Sequence, residues 1–392
     1  STRVQEVLSK MSSFAQESFS GIGVIKSYNL QRIMNQGFDD LASESYQKNM
    51  SLVKVQAWFF PLMILLIGFS NLIVIYVGGN QYINNEIEIG VLAEFIIYVN
   101  MLTWPVAVVG WITSIVQQAE ASQERINLFL KEEPEIKDGP GVQKEIKGAL
   151  ELKNVSLRYP ETQIQALENI SLKIPTGTTL GILGNIGSGK STLLDLITRL
   201  YDPSEGKILL DGIDLKEYTL EQLREAIGSI PQNAFLFSES IEDNIRFGSL
   251  NASREAIQEA SKEAVVHKNI IDFKEGYQTL LGERGVTLSG GQIQRVSIAR
   301  AFIKDPNILL LDDCLSAVDT DTEEEILKHL KKIAQNKTTL IVSHRISSLK
   351  HADQIIVFEN GKIVQQGKHL DLIGAPGYYK ELFEKQQADR NK

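Results

Sequence analysis

The sequence predicts a multidomain chain in which an all-α transmembrane helical segment precedes an α/β domain of the P-loop NTPase type. Two uncharged runs of 22 residues, Ala57–Gly78 and Phe95–Val116, predict the first part. Short β-rich runs alternating with amphipathic stretches after Ala149 predict the second. A glycine-rich phosphate loop from Gly184 to Thr192, set between a strand and a helix, gives that domain its type. The expected boundaries are 1–131 for the membrane part, 132–148 for a linker and 149–392 for the nucleotide-binding domain.

Each uncharged run, coiled as a helix, is about 33 Å long, enough to cross the hydrocarbon core of a bilayer. Pro61, Gly68, Pro105 and Gly110 lie inside the runs, where a membrane helix tolerates them. Trp58, Tyr76, Trp104 and Trp111 are interface anchors or packed core. Asn71, Glu94 and Asn100 line a cavity or pack against further helices. The loop Gly79–Ile89 carries Glu86 and Glu88 and no Lys or Arg, whereas Lys48, Lys54, Arg125 and Lys131 flank the spans. Positive flanks favour the cytosol, so both long ends are expected there and the short loop outside. That is a multi-pass protein of the cell membrane with a cytoplasmic nucleotide domain. The polar, helix-periodic stretch Ser1–Gln56 is expected to extend the first spanning helix. The chain opens in mid-helix pattern, which points to a true N-terminus elsewhere.

Composition narrows the class further. The 392 residues are 43% hydrophobic and carry a net charge of −9, which argues against nucleic acid as the main partner. The single cysteine, Cys314, excludes an internal disulfide and reads as a small buried hydrophobe. Glu132–Gly148 is charged and contains Pro and Gly, as a linker would. The runs LELKNVSL, TTLGILG, KILLDG, NILLLDD, TTLIVSH and QIIVFENGKIV then read as strands of a mainly parallel sheet, with a late hairpin turn at Asn360-Gly361.

The loop Gly184-Asn185-Ile186-Gly187-Ser188-Gly189-Lys190-Ser191-Thr192 follows TTLGIL and opens the helix STLLDLITRL. Glycines in that place let backbone N–H groups wrap phosphates. Lys190 reaches the terminal phosphates and the Ser191 hydroxyl is placed for Mg²⁺. Leu309–Leu311 form a buried strand that delivers Asp312 at its carboxyl edge, a second Mg²⁺ ligand. Leu288-Ser289-Gly290-Gly291-Gln292 opens a helix expected to run to about Ile303. Ser and two glycines at a helix start form an anion site. A second such site, about a hundred residues from the first, needs an explanation.

With these residues the whole chain resembles the ATP-binding cassette (ABC) family, in its exporter branch, where membrane helices lead into an ATPase domain with a helical subdomain. The resemblance implies ATP and Mg²⁺ as cofactors. It implies that Tyr159 stacks on adenine, that Gln232 links Mg²⁺ to the membrane domain, and that Phe235, Leu236 and Phe237 help form a groove for a coupling helix. Gly282-Glu283-Arg284-Gly285 resembles the segment that touches the membrane extensions. Ser289, Gly290, Gly291 and Gln292 resemble the signature that completes an ATP site in an opposing subunit. Ser316–Asp319 resembles the loop coupling the two sites, and His344 the switch histidine near the γ-phosphate. Ile293 stands where the family usually has Lys or Arg.

Two departures shape the functional expectation. The family's competent sites place Glu after the Mg²⁺ aspartate, and here the residue is Asp313. One carbon fewer withdraws the carboxylate by about 1.5 Å. A misplacement of about 1 Å can cost on the order of 100-fold in rate. Within the resemblance, Asp here marks heterodimeric exporters with one weak and one competent site. The chain is thus expected to bind ATP, hydrolyse it slowly and lend its signature to a second subunit, with a small molecule, lipid or peptide as cargo. A homodimer with Asp313 as the working base is the alternative. So are a soluble-type ABC ATPase and an inert fragment. The second departure is two membrane helices where exporters of this kind have six.

Overall fold

The computed structural model describes residues 2–282 and 288–390. It has two compact units, Ser1–Glu133 and Pro134–Lys392.

The first unit is helical. It contains α1 (Thr2–Ser20), α2 (Ile22–Ser27), α3 (Gln31–Ile83) and α4 (Ile89–Leu130). Both α3 and α4 run through their prolines, Pro61 and Pro105. Pro61–Ile83 and Ile89–Leu130 are long and apolar enough to cross a membrane. Trp58, Tyr76, Trp104 and Trp111 are exposed side chains within this unit. The expected continuous extension from Ser1 is corrected: the helix breaks at Tyr28-Asn29-Leu30, where Asn29 takes a left-handed φ of 54°. Asn tolerates that conformation because its short side chain can bond locally. Only the stretch from Gln31 continues into the span, and α1 lies against α3 with Phe14 and Phe38 rings 6.4 Å apart. The connection between the spans is also shorter than expected. α3 carries on to Ile83, leaving Asn84–Glu88.

The second unit is built on two sheets among the described residues. One is antiparallel and orders β2 (Gln165–Ile174), β1 (Leu150–Arg158), β4 (Glu205–Leu210) and β5 (Ile213–Asp214). The other orders β10 (Lys362–Gly367), β9 (Gln354–Glu359), β3 (Thr179–Gly184), β8 (Thr338–Val342), β7 (Ile308–Asp312) and β6 (Ile227–Ile230). Its pairings are parallel from β9 through β6, and only β9–β10 is antiparallel. Strands β3, β7, β8 and β9 are buried on both faces, so their sequences are near-continuous apolar runs, whereas the edge strand β10 is half exposed. In β7, Ile308 and Leu310 face one core cluster and Leu309 and Leu311 the other. The hairpin turn falls on Asn360 and Gly361, with φ of 48° and 77°, as a two-residue turn with the right-handed twist requires.

One core cluster joins β1, β2 and β4 to α5 (Lys190–Ile197) and lies near α6 (Leu220–Glu225) through Leu223. The other gathers α7 (Ile241–Arg246), α8 (Arg254–Glu263), α9 (His267–Ile271), α10 (Gly290–Ile303), α11 (Thr320–Ile333) and α12 (Ile346–Leu349). The chain closes with α13 (His369–Gly374) and α14 (Tyr378–Arg390). The segment 134–148 differs from the expected linker, because it is fastened along this unit. Arg199 donates to the Lys137 carbonyl at 2.9 Å, and Asp138 accepts from the Leu220 N–H at 2.6 Å. Asp211 accepts from the backbone N–H groups of Lys147, Gly148 and Ala149.

Candidate nucleotide site

The order of the large sheet gathers the expected residues. β3 ends in the phosphate loop, β8 leads through Ser343 to His344, β7 ends in Asp312, and β6 leads through Pro231 to Gln232. These four strands are neighbours and parallel, so their carboxyl ends share one edge, where open α/β sheets place their ligands.

The phosphate loop is locked by its glycines. Gly184 and Gly189 have φ of 157° and 98°, and Gly189 precedes the first residue of α5. A Cβ at Gly189 would lie 2.4 Å from the Ala166 carbonyl oxygen. One at Gly184 would lie 2.4 Å from that of Phe358. Around Gly187, by contrast, a Cβ meets nothing within 4 Å, and Ile186 is exposed, so the loop keeps an open mouth. Lys190 Nζ donates to the carbonyls of Gly184 at 2.9 Å and Asn185 at 2.6 Å. Burial pushes its pKa down, against the pull of Asp312 and Asp313.

Asp312 lies beside Ser191, whose side chain hydrogen-bonds it. A hydroxyl and a carboxylate together are hard oxygen donors, which would suit Mg²⁺. Burial, and then Asp313, push the Asp312 carboxyl above the usual range, while Ser191 and Lys190 restrain it. Asp313 sits at φ 45°, and its carboxylate meets His344 Nδ1 at 2.9 Å. Gln232 is exposed at the same edge. Tyr159 is half-buried, shares a hydrogen bond of 2.9 Å with Thr192 and stands edge-on to Tyr201 at 5.2 Å.

The signature helix is a separate construction. Ser289 caps α10 with a capping box, accepting from Gln292 N–H while the Gln292 side chain accepts from Ser289 N–H. A Cβ on Gly291 would lie 2.9 Å from the Ala317 oxygen, so α10 packs directly on the Ser316–Asp319 turn. Gln294 fixes that contact, accepting from Ala317 N–H at 3.1 Å and donating to Ser316 at 3.3 Å. Asp319 caps α11, accepting from Thr322 N–H, and that bond holds its carboxyl below the ordinary value. Ile293 is partly buried against the core cluster, which explains an apolar residue there.

One expected groove residue is corrected. Leu236 is fully buried at 0% exposed, whereas Phe235 and Phe237 are exposed and edge-on at 5.1 Å. The pattern places alternate residues of that segment inward, and Asn244 pins Phe237 through both its backbone groups. Glu283, Arg284 and Gly285 lie outside the described residues. Two residues of α14 went unread in the sequence. Tyr378 donates to Asn185 of the phosphate loop at 2.8 Å, and Gln386 donates to the His344 carbonyl at 2.7 Å. Each is a lone polar residue without motif spacing, so only tertiary docking reveals it.

Comparisons with known proteins give the family and the fold. A family described as ABC transporter matches residues 167–316, and one described as ABC transporter transmembrane region matches 1–106. The chain is similar to the uncharacterized ABC transporter ATP-binding protein YknU of Bacillus subtilis (39% identity, over 98% of this chain and 66% of that protein). It is similar also to the multidrug resistance-like ATP-binding protein MdlA of Buchnera aphidicola (40%, 98% and 66%). It thus spans about two thirds, 66%, of the length of these curated relatives. Among solved structures, a bacterial Atm1-family ABC exporter with ATP bound superimposes with a TM-score of 0.89 at 28% identity, over 98% of this chain and 69% of that one.

Proposed function

Because this chain belongs to the ABC transporter family, with membrane region and ATPase domain fused in one polypeptide, we propose that it acts in ATP-driven export across the membrane as one subunit of a transporter dimer. The observation that carries this reading is the shared carboxyl edge of β3, β8, β7 and β6, which brings Lys190, Ser191, Asp312, Asp313, His344 and Gln232 together. Bound there, Mg²⁺–ATP supplies the phosphoryl group and the charge that the metal neutralises. Lys190 and the loop N–H groups hold the phosphates, Ser191 and Asp312 hold the metal, and Tyr159 backs the adenine. Ser289, Gly290 and Gly291 complete the site of the other subunit, and the Gln294 contacts tie that signature to the Ser316–Asp319 turn. The multidrug-type relative supports a multidrug cargo. In this reading the partner is a second, different subunit with the longer acid, and Asp313 makes the slow site.

The test uses fluorescent ATP binding and steady-state hydrolysis. Lys190→Ala should abolish nucleotide binding by this subunit. Ser289→Ala should leave that binding intact and lower hydrolysis by the assembled transporter at least tenfold, the loss typical of removing a group aimed at the transition state. Unchanged affinity in the first variant, or full activity in the second, overturns the reading.

The His344–Asp313 contact favours a second reading, since a carboxylate held at 2.9 Å from an imidazole is oriented as a general base is. Then the protein is a homodimer and Asp313 works. Purified without a partner, it would hydrolyse ATP briskly, and Asp313→Asn would cut the rate about 100-fold. In the asymmetric reading, Asp313→Asn changes the slow rate by less than about threefold.

A further inference from the structure

A cavity of about 340 Å³ opens between β8, α11 and α12. Its lining includes no residue of the phosphate loop. Thr339 and Ile341 of β8 form one wall, and Leu327 and Leu330 of α11 form an apolar one. Thr339 is 0% exposed, and its Oγ1 has no hydrogen-bond partner among the described residues. The preceding residue shows the contrast: Thr338 donates to the Gly148 carbonyl at 2.7 Å. A buried hydroxyl left unpaired is costly, and a ligand atom that pairs it recovers that cost.

The rim of the cavity is cationic. Lys328 and Lys331 border it from α11, and Lys350 and His351 from the end of α12. Burial, then Lys350 and Lys331, push the His351 imidazole below its ordinary pKa, a separate sign of positive potential. Of the two carboxylates in the lining, Glu323 is 2% exposed and already engaged by Arg345 and Ser348. Glu324 alone faces the three lysines.

We propose that this cavity is a second ligand site, for a small molecule with an acid at one end, an apolar body and a hydroxyl or carbonyl at the other. The lysines take the acid, Leu327 and Leu330 take the body, and Thr339 takes the far polar group. Buried Glu323 forms part of the wall and is held by Arg345, and Arg345 also donates to the Ser316 carbonyl at 3.2 Å. Occupancy is thereby connected to the turn on which α10 packs and to the residue after His344. The site is independent of the nucleotide reading.

The test measures binding with nucleotide absent, so its failure leaves the ATP assignment untouched. 3-Fluoro-4-hydroxybenzoate is titrated by fluorine NMR onto the full chain in nanodiscs, with empty nanodiscs as baseline. Saturable binding is expected, with Kd on the order of 1 mM or tighter for so small a ligand. Thr339→Val, which keeps the shape and removes the hydroxyl, should weaken it about fivefold and abolish its advantage over 4-fluorobenzoate. Lys331→Gln with Lys350→Gln, both exposed, should weaken both acids about fivefold. Ala334→Phe should fill the cavity and abolish binding. No saturable binding above empty nanodiscs overturns the proposal, as does binding within twofold of wild type in either the Thr339 or the double lysine variant. Should Ala334→Phe fail to fold, those two decide.

Discussion

Asp312 carries two tasks that oppose each other. It must be ionised to hold a metal, yet burial and the neighbouring Asp313 raise its pKa and so favour its neutral form in the fold. A carboxyl with a raised folded pKa contributes stability at low pH that is lost as pH rises through that pKa. At neutral pH the ionised Asp312 therefore costs stability. Asp312→Asn should raise the melting temperature of the nucleotide-free protein at pH 7.5, and the difference should shrink as pH falls and the wild-type carboxyl protonates. The same change should weaken Mg²⁺–ATP binding at least about tenfold, through loss of a charge-assisted contact. Melting curves across pH, with and without Mg²⁺–ATP, check both. A lower melting temperature for the variant at pH 7.5 contradicts the account.

The signature helix shows how an element can be constrained on one face and open on the other. At Gly291 a Cβ would press on the Ala317 oxygen at 2.9 Å, whereas at Gly290 the nearest atom is the Ala317 Cβ at 3.9 Å. Gly291→Ala should force α10 away from the turn at about 1–3 kcal/mol, a fall of roughly 3–10 °C in melting temperature. Gly290→Ala should leave melting within about 2 °C and lower hydrolysis only in the assembled pair. Thermal denaturation of both variants beside ATPase assays separates the two roles. Elements of this kind were legible because their chemistry is local: a phosphate loop, a capping box and an apolar strand ending in Asp each fit within one short run. β2 was not, because bulges shift its register and Asn169 at φ 53° interrupts the alternation. β6, Ile227–Ile230, is too short to show a period. Tyr378 and Gln386 reach the site only because α14 docks there.

For the whole molecule, the sequence supports a topology that a thiol can report. Cys314 is the one cysteine and is buried at 2% exposed. An introduced cysteine is then the accessible target. Glu86→Cys, between α3 and α4, should react with an impermeant maleimide in right-side-out vesicles, and Leu370→Cys only after permeabilisation. Leu370 is 80% exposed in the folded unit, so access there depends on the membrane and not on burial. Labelling of both sites in intact vesicles contradicts two crossings.

The fastening of 134–148 shortens the loose chain that enters the ATPase unit. From Leu130 to β1 a loose strand would stretch about 70 Å at full extension. Lys137 is one hydrogen-bonded anchor, and the seven residues that lead to it from Leu130 reach at most about 25 Å. Gly139 seats this strap against the backbone, since a Cβ there would lie 2.3 Å from the Lys216 oxygen. A slack rope must be wound in before it pulls, while a short one lashed to the load moves with it. Residues 134–148 are of the second kind, lashed to the unit that they belong to.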